Sequence, residues 1–206
     1  MRETKLHRSI TASAIFFLFP FSFFLFSCHN DYTPKPYAFL RIDLPQAEYT
    51  TVDSLPFSFE MNRAATLTKK KETLRDLWVD LNYPQWDGVV FLSYKRLTGV
   101  DDLRGQTDTS SRLMESHYQF SSGIEEQGYD DPANHVYGTV YYLKGSKVAS
   151  TCQFWLTDSS RHFLRGALYL NVTPNNDSLA PVIDYLQSDI EHLVETLRWA
   201  GAPAKH

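Results

Sequence analysis

Gln153, Thr157, Asp158, Ser159, His162 and Arg165 fall on or beside one short stretch of the 206-residue chain. An aspartate and a histidine on either side of a turn can meet as an acid-base pair, the carboxylate orienting the imidazole. The same residue types also build turns without catalysis: Asp158 and Ser159 can bond the turn backbone while His162 pairs across strands. No nucleophile and no set of oxyanion donors stands nearby, which favours the turn. The role expected of Gln153, Thr157, Asp158, His162 and Arg165 is therefore contact with a partner, and truncating Asp158 or His162 is expected to cost little stability. Arg165, set among Leu164, Gly166 and Leu168, fits a cross-strand ion pair or a partner contact better than a catalytic group.

A second reactive residue is Cys28. Arg2, Lys5 and Arg8 precede an apolar run from Ile10 to Phe26, the layout of a basic n-region and an h-region. The run is interrupted by Pro20 and Ser22 and is short for a membrane span, which needs about 20 apolar residues. It ends in Leu25-Phe26-Ser27-Cys28, with a leucine three before the cysteine and a small residue directly before it, as lipoprotein signal peptidases require. Phe26 departs from the small or β-branched residue usual at its position. These features predict a signal peptide over 1–27, lipid attachment at Cys28, a tether over 28–36 and a single domain over 37–206; a permanent transmembrane helix is the alternative. Each buried methylene is worth about 0.8 kcal/mol, so several acyl chains on one cysteine anchor stably. The tether, His29-Asn30-Asp31-Tyr32-Thr33-Pro34-Lys35-Pro36, is polar and punctuated by proline.

Elsewhere the chemistry is sparse. Residues 29–206 carry no phosphate-cradling glycine loop, nucleophile elbow or histidine-pair metal motif, so no cofactor, metal or catalytic residue is expected. Beyond residue 27 there are 17 basic and 23 acidic residues, a net charge of −6, which lacks a nucleic-acid footprint. Cys28 and Cys152 are the two cysteines; lipidation of the first leaves the second, in an apolar run, as a buried small hydrophobe. His117, His135 and His192 have no ligand spacing and read as surface or capping residues.

These residues must be held by elements that the hydrophobic pattern marks. Strands are predicted at Tyr37–Ile42, Phe57–Met61, Asp76–Leu81 and Gly88–Tyr94, the last two joined by Asn82-Tyr83-Pro84-Gln85. Asp101–Tyr118 has rough helical spacing, and Gly123–Asn134 reads as a polar loop. Val136–Leu143, Lys147–Thr157 and His162–Asn171 form an antiparallel meander on short turns. Leu179, Val182, Ile183, Leu186, Ile190, Leu193, Val194 and Leu197 make one helical stripe, capped by Asp177-Ser178, with Pro181 in the first turn and Gly201 beyond its end. The fold class is α+β: one domain, an antiparallel sheet covered by a long C-terminal helix and a second, shorter helix. The strands carry more aromatics than one buried face uses, including Tyr137, Tyr141, Tyr142, Phe154, Trp155, Phe163 and Tyr169. Those on the far face are covered by the Asp101–Tyr118 helix or bind a protein.

The stretch Ala149-Ser150-Thr151-Cys152-Gln153-Phe154-Trp155-Leu156-Thr157-Asp158-Ser159-Ser160-Arg161-His162-Phe163-Leu164-Arg165-Gly166-Ala167-Leu168-Tyr169 resembles the signature of the gliding-motility lipoprotein GldD family. Pro174-Asn175 with Asp177-Ser178-Leu179-Ala180-Pro181-Val182-Ile183 continues the resemblance, as do Tyr32-Thr33-Pro34-Lys35-Pro36 and Phe39-Leu40-Arg41-Ile42-Asp43-Leu44-Pro45. The resemblance implies a lipoprotein of Bacteroidetes envelopes on the periplasmic side of a membrane, a non-enzymatic accessory of gliding motility and type IX secretion. Its implied partners are other motility or secretion envelope proteins, with no nucleic acid. A hydrolase or ligand-binding lipoprotein using the 157–165 hairpin is the alternative.

Overall fold

The chain alternates long runs of short-period apolar patterning with two helical segments, and the computed structural model, which describes residues 44–172 and 176–201, turns these into two antiparallel sheets and two helices. The predicted strand Tyr37–Ile42, like the signal segment, Cys28 and the tether, lies outside the described residues. A small sheet joins β1 (Tyr49–Val52), β2 (Phe57–Asn62) and β10 (Arg198–Trp199). The large sheet contains seven strands in the order β3-β4-β5-β9-β8-β7-β6, with β3 at Thr66–Glu72, β4 at Asp76–Tyr83, β5 at Gly88–Arg96, β6 at Gly123–Asp131, β7 at Val136–Lys144, β8 at Cys152–Thr157 and β9 at His162–Leu170. Helix α1 spans Val100–Glu115 and α2 spans Asn176–Thr196.

Strand alternation sorts the side chains by face. On one face, Leu77, Val79, Leu81, Val90, Leu92, Phe154, Leu156, Leu164 and Leu168 are buried against Val182, Leu186, Ile190, Leu193 and Val194 of α2. Those helical residues are the stripe predicted from sequence, and burying each such side chain stabilises by about 1.5–3 kcal/mol. Phe57 and Phe59 of β2 close the same core, with Trp199 of β10. On the opposite face α1 packs over β8 and β9, seating Met114 among Tyr141, Leu143, Val148 and Trp155. The antiparallel α+β domain with a long C-terminal and a shorter second helix is therefore what forms, and part of the aromatic excess lies under the second helix.

The differences fall at the edges. Gly123–Asp131, read as loop, is edge strand β6, paired with β7 from Gly123↔Lys144 to Asp131↔Val136. None of its side chains is fully buried, Ile124 and Tyr129 being half-buried on opposite faces, so it needs no apolar alternation. Lysine-rich β3 was unmarked for the same reason. β8 begins at Cys152 rather than Lys147, and β4 runs on to Tyr83 before a 3-10 turn at Pro84–Trp86. Helix α2 starts at Asn176, so Asp177 and Ser178 lie in its first turn and Pro181 in its second. Asn176 anchors that end by donating from Nδ2 to the carbonyls of Gly145 (2.7 Å) and Val148 (3.0 Å).

Candidate functional site

The β8–β9 connection is too short to bury apolar groups, and its polar residues bond one another instead. Asp158 Oδ1 accepts from the backbone N–H of Ser160 (3.0 Å), Arg161 (2.7 Å) and His162 (2.8 Å), while Oδ2 accepts from the Ser160 hydroxyl (2.8 Å). Burial pushes this carboxyl up, but the backbone donors outweigh burial and hold it below the ordinary aspartate value. Thr157 completes the turn: its hydroxyl donates to the His162 carbonyl (2.6 Å) and accepts from the N–H of Ser159 (3.0 Å), which sits at φ 66°. Asp158 and His162 thus meet through the His162 backbone, not as an acid-base pair of side chains.

His162 turns to other partners. Its Nδ1 lies 2.8 Å from the Tyr94 hydroxyl, and its ring stacks on Trp199 at 5.1 Å between centroids and 15° between planes. Burial holds the imidazole below the ordinary histidine value; Asp158 opposes this, and Arg96 and Arg161 add to it. Trp199 is buried and donates from Nε1 to the carbonyl of His135 (2.9 Å), a residue held at φ 54°. Together His135, Asp158, Ser160, Arg161, His162, Trp199, Ala200 and Gly201 line an open hollow of about 340 Å³.

The sheet divides the remaining predicted residues from this hollow. Gln153, Thr157 and Arg165 alternate with core residues such as Phe154 and Leu164, so they belong to the α1 face. Arg165 Nη2 donates to Gln153 Oε1 at 3.0 Å, a diagonal cross-strand contact in place of the expected ion pair. Gln153 is 2% exposed, and its Nε2 has no partner among the described residues. His117 is half-buried rather than exposed, and burial depresses its titration, with the Arg165 charge adding to it.

A further polar cluster has no sequence signal. Asp189, 4% exposed on the buried side of α2, accepts from Tyr49 Oη (3.0 Å) and from Asn62 Nδ2 (2.8 and 2.9 Å). Asn62 also donates to Tyr185 Oη (2.9 Å). Beside it His192 stacks on Tyr49 at 3.7 Å and bonds Glu60 at 2.7 Å. Burial raises the Asp189 carboxyl above its ordinary value despite the bonds from Asn62, Tyr49 and Tyr83. These groups join β1 and β2 to α2, so His192 is a packing residue. Cys152 is buried in the core, and burial pushes its thiol up, leaving it protonated and inert.

The family model described as gliding motility lipoprotein GldD matches residues 29–199, a span that includes the whole hairpin and its stacked Trp199. The chain belongs to the GldD family. In this GldD lipoprotein the hairpin builds one wall of the hollow, and membership carries with it a membrane-anchored place in the cell envelope. No curated protein matches the chain. Among solved structures, cyanobacterial PsbP (CyanoP) from Synechocystis sp. PCC 6803 is similar at 12% identity and a TM-score of 0.46, over 78% of this chain and 96% of that one. Tyr94, Arg161 and Trp199 are the site residues that sequence reasoning missed. Arg161 lay inside the motif, whereas Tyr94 and Trp199 come from strands distant in sequence and carry no local signal.

Proposed function

We propose that this GldD-family protein is a non-enzymatic accessory component of the gliding and type IX secretion machinery, held on the periplasmic side of a membrane by lipid on Cys28. Its contacts would be with other envelope proteins of that machinery. The observation that carries the reading is the state of the hairpin inside the stretch that the family model matches, residues 29–199. Its one carboxylate is spent on three backbone donors and a hydroxyl, and its histidine is held by Tyr94 and Trp199. Asp158 does not orient the His162 ring, so the hairpin lacks the carboxylate–imidazole pairing of a hydrolase triad, which supports the non-enzymatic reading.

Deleting the gene in a gliding host should abolish spreading or secretion, and a plasmid copy should restore it. A deletion strain that spreads and secretes normally would remove the proposal. The hollow beside the hairpin favours a second reading, ligand binding, which need not exclude the first.

A further inference from the structure

The wall of the hollow carries hydrogen-bond donors, and the carboxylate it contains among the described residues is already engaged. Tyr94 is 5% exposed, and His162 Nδ1 is the one acceptor its hydroxyl meets among the described residues. If Nδ1 carried the hydrogen, the Tyr94 hydroxyl would be buried without an acceptor, which costs about 1–3 kcal/mol. Tyr94 is therefore the donor, and the neutral imidazole carries its hydrogen on Nε2, the ring edge opposite Tyr94. Arg161 adds a cation: its side chain is exposed and has no carboxylate within ion-pair distance among the described residues. Its backbone is pinned on both sides, the N–H to Asp158 Oδ1 and the carbonyl to the N–H of Leu97 (2.7 Å). Asp158, the one carboxylate in the wall among the described residues, already accepts four hydrogen bonds.

Two further features mark a built site. The His162–Trp199 stack is a flat, rigid wall whose edge is fixed by the indole bond to His135. Left-handed backbone at His135 and Ser159, both non-glycine, is retained beside it, and such conformations cost of order 1 kcal/mol or more each. At about 340 Å³ the volume falls at the lower end of small-ligand sites.

We propose that this hollow is a carboxylate-binding site, in which the guanidinium of Arg161 and the Nε2–H of His162 receive the carboxylate and the His162–Trp199 wall packs against the atoms that bear it. A guanidinium and a carboxylate pair through charge-assisted bonds stronger than neutral ones. The ligand class is an acidic peptide group, either a chain terminus or an aspartate or glutamate side chain. The inference deepens the accessory reading by naming what a partner would present.

The test uses the purified protein and three peptides: acetyl-Ala-Ala with a free terminal carboxylate, the same peptide as its amide, and acetyl-Ala-Asp-amide. Inorganic phosphate serves as a fourth probe. The Trp199 indole and His162 ring resonances should shift saturably with the first peptide, the third or both, with Kd of roughly 1 mM or tighter. Which of the two carboxylate peptides binds identifies the source. The amide peptide and phosphate should bind at least about tenfold more weakly, and so should the carboxylate peptides to Arg161→Ala and to His162→Phe, which keeps the stack but loses the N–H. Equal binding of acid and amide, phosphate binding as tightly as carboxylate, no saturable shift, or an Arg161→Ala protein with unchanged affinity would each overturn the site. Failure here with a spreading defect in the deletion strain discards the site and keeps the accessory role; binding in a protein whose gene is dispensable does the reverse.

Discussion

Asp158 holds the hairpin through four hydrogen bonds, so its truncation should be felt where partner contact alone would predict none. Asp158→Ala should lower stability by about 1–2 kcal/mol, as loss of a helix N-cap does, for the same reason that backbone donors lose their acceptor; denaturant unfolding checks it. Asp189 gives the opposite kind of pH dependence from most native carboxylates. Its folded value is raised, so the native state binds the proton more tightly than the unfolded chain. Its contribution is complete below the ordinary value of 3.8 and declines as pH rises through the folded value. Asp189→Asn, which removes the titration, should therefore gain stability relative to the parent as pH increases from about 3 to neutrality, and a parallel pair of melting series would expose a variant that does not.

Among the elements, the β8–β9 pair depends on a close approach. Phe154 lies over Gly166, opposite it in register, and a Cβ at Gly166 would come within 2.1 Å of the nearest phenyl carbon. Gly166→Ala should cost about 1–3 kcal/mol or more through overpacking, measured by thermal unfolding, and Phe154→Leu should restore part of the loss by making room. A Gly166→Ala protein as stable as its parent would show that the ring moves aside freely. The stretch also shows what periodicity misses. Phe154, Gly166 and the alternating leucines marked these strands, but nothing in the pattern marked β3 or β6, because strands with no fully buried side chain place no demand on apolar spacing.

At the scale of the whole molecule, the seven-stranded sheet carries a core on one face and a helix-covered patch on the other, with the hollow at the end where β10 meets the β8–β9 hairpin. No helix among the described residues is long and apolar enough to cross a membrane, and the proposed anchor is Cys28. Cys28→Ser should abolish metabolic labelling with a fatty acid and, in the deletion strain, fail to restore spreading. A variant that is unlabelled yet restores spreading would make the anchor dispensable.

The amino-acid order alone determined the α+β class, the amphipathic face of α2, the meander and the hairpin motif, because each rests on neighbours in sequence: a helical stripe, an alternation, a turn of Asp158, Ser159 and Ser160. Tertiary structure decided the site. Gln153 and Arg165 share the motif with His162, yet the pleat sends them to the other side of the sheet, and the groups that join His162 arrive from β5 and β10. The Asp189 cluster likewise draws on β1, β2 and α2. Residues far apart in the chain have no spacing to read, so their meeting at His162 and at Asp189 follows only from how the two sheets and α2 pack.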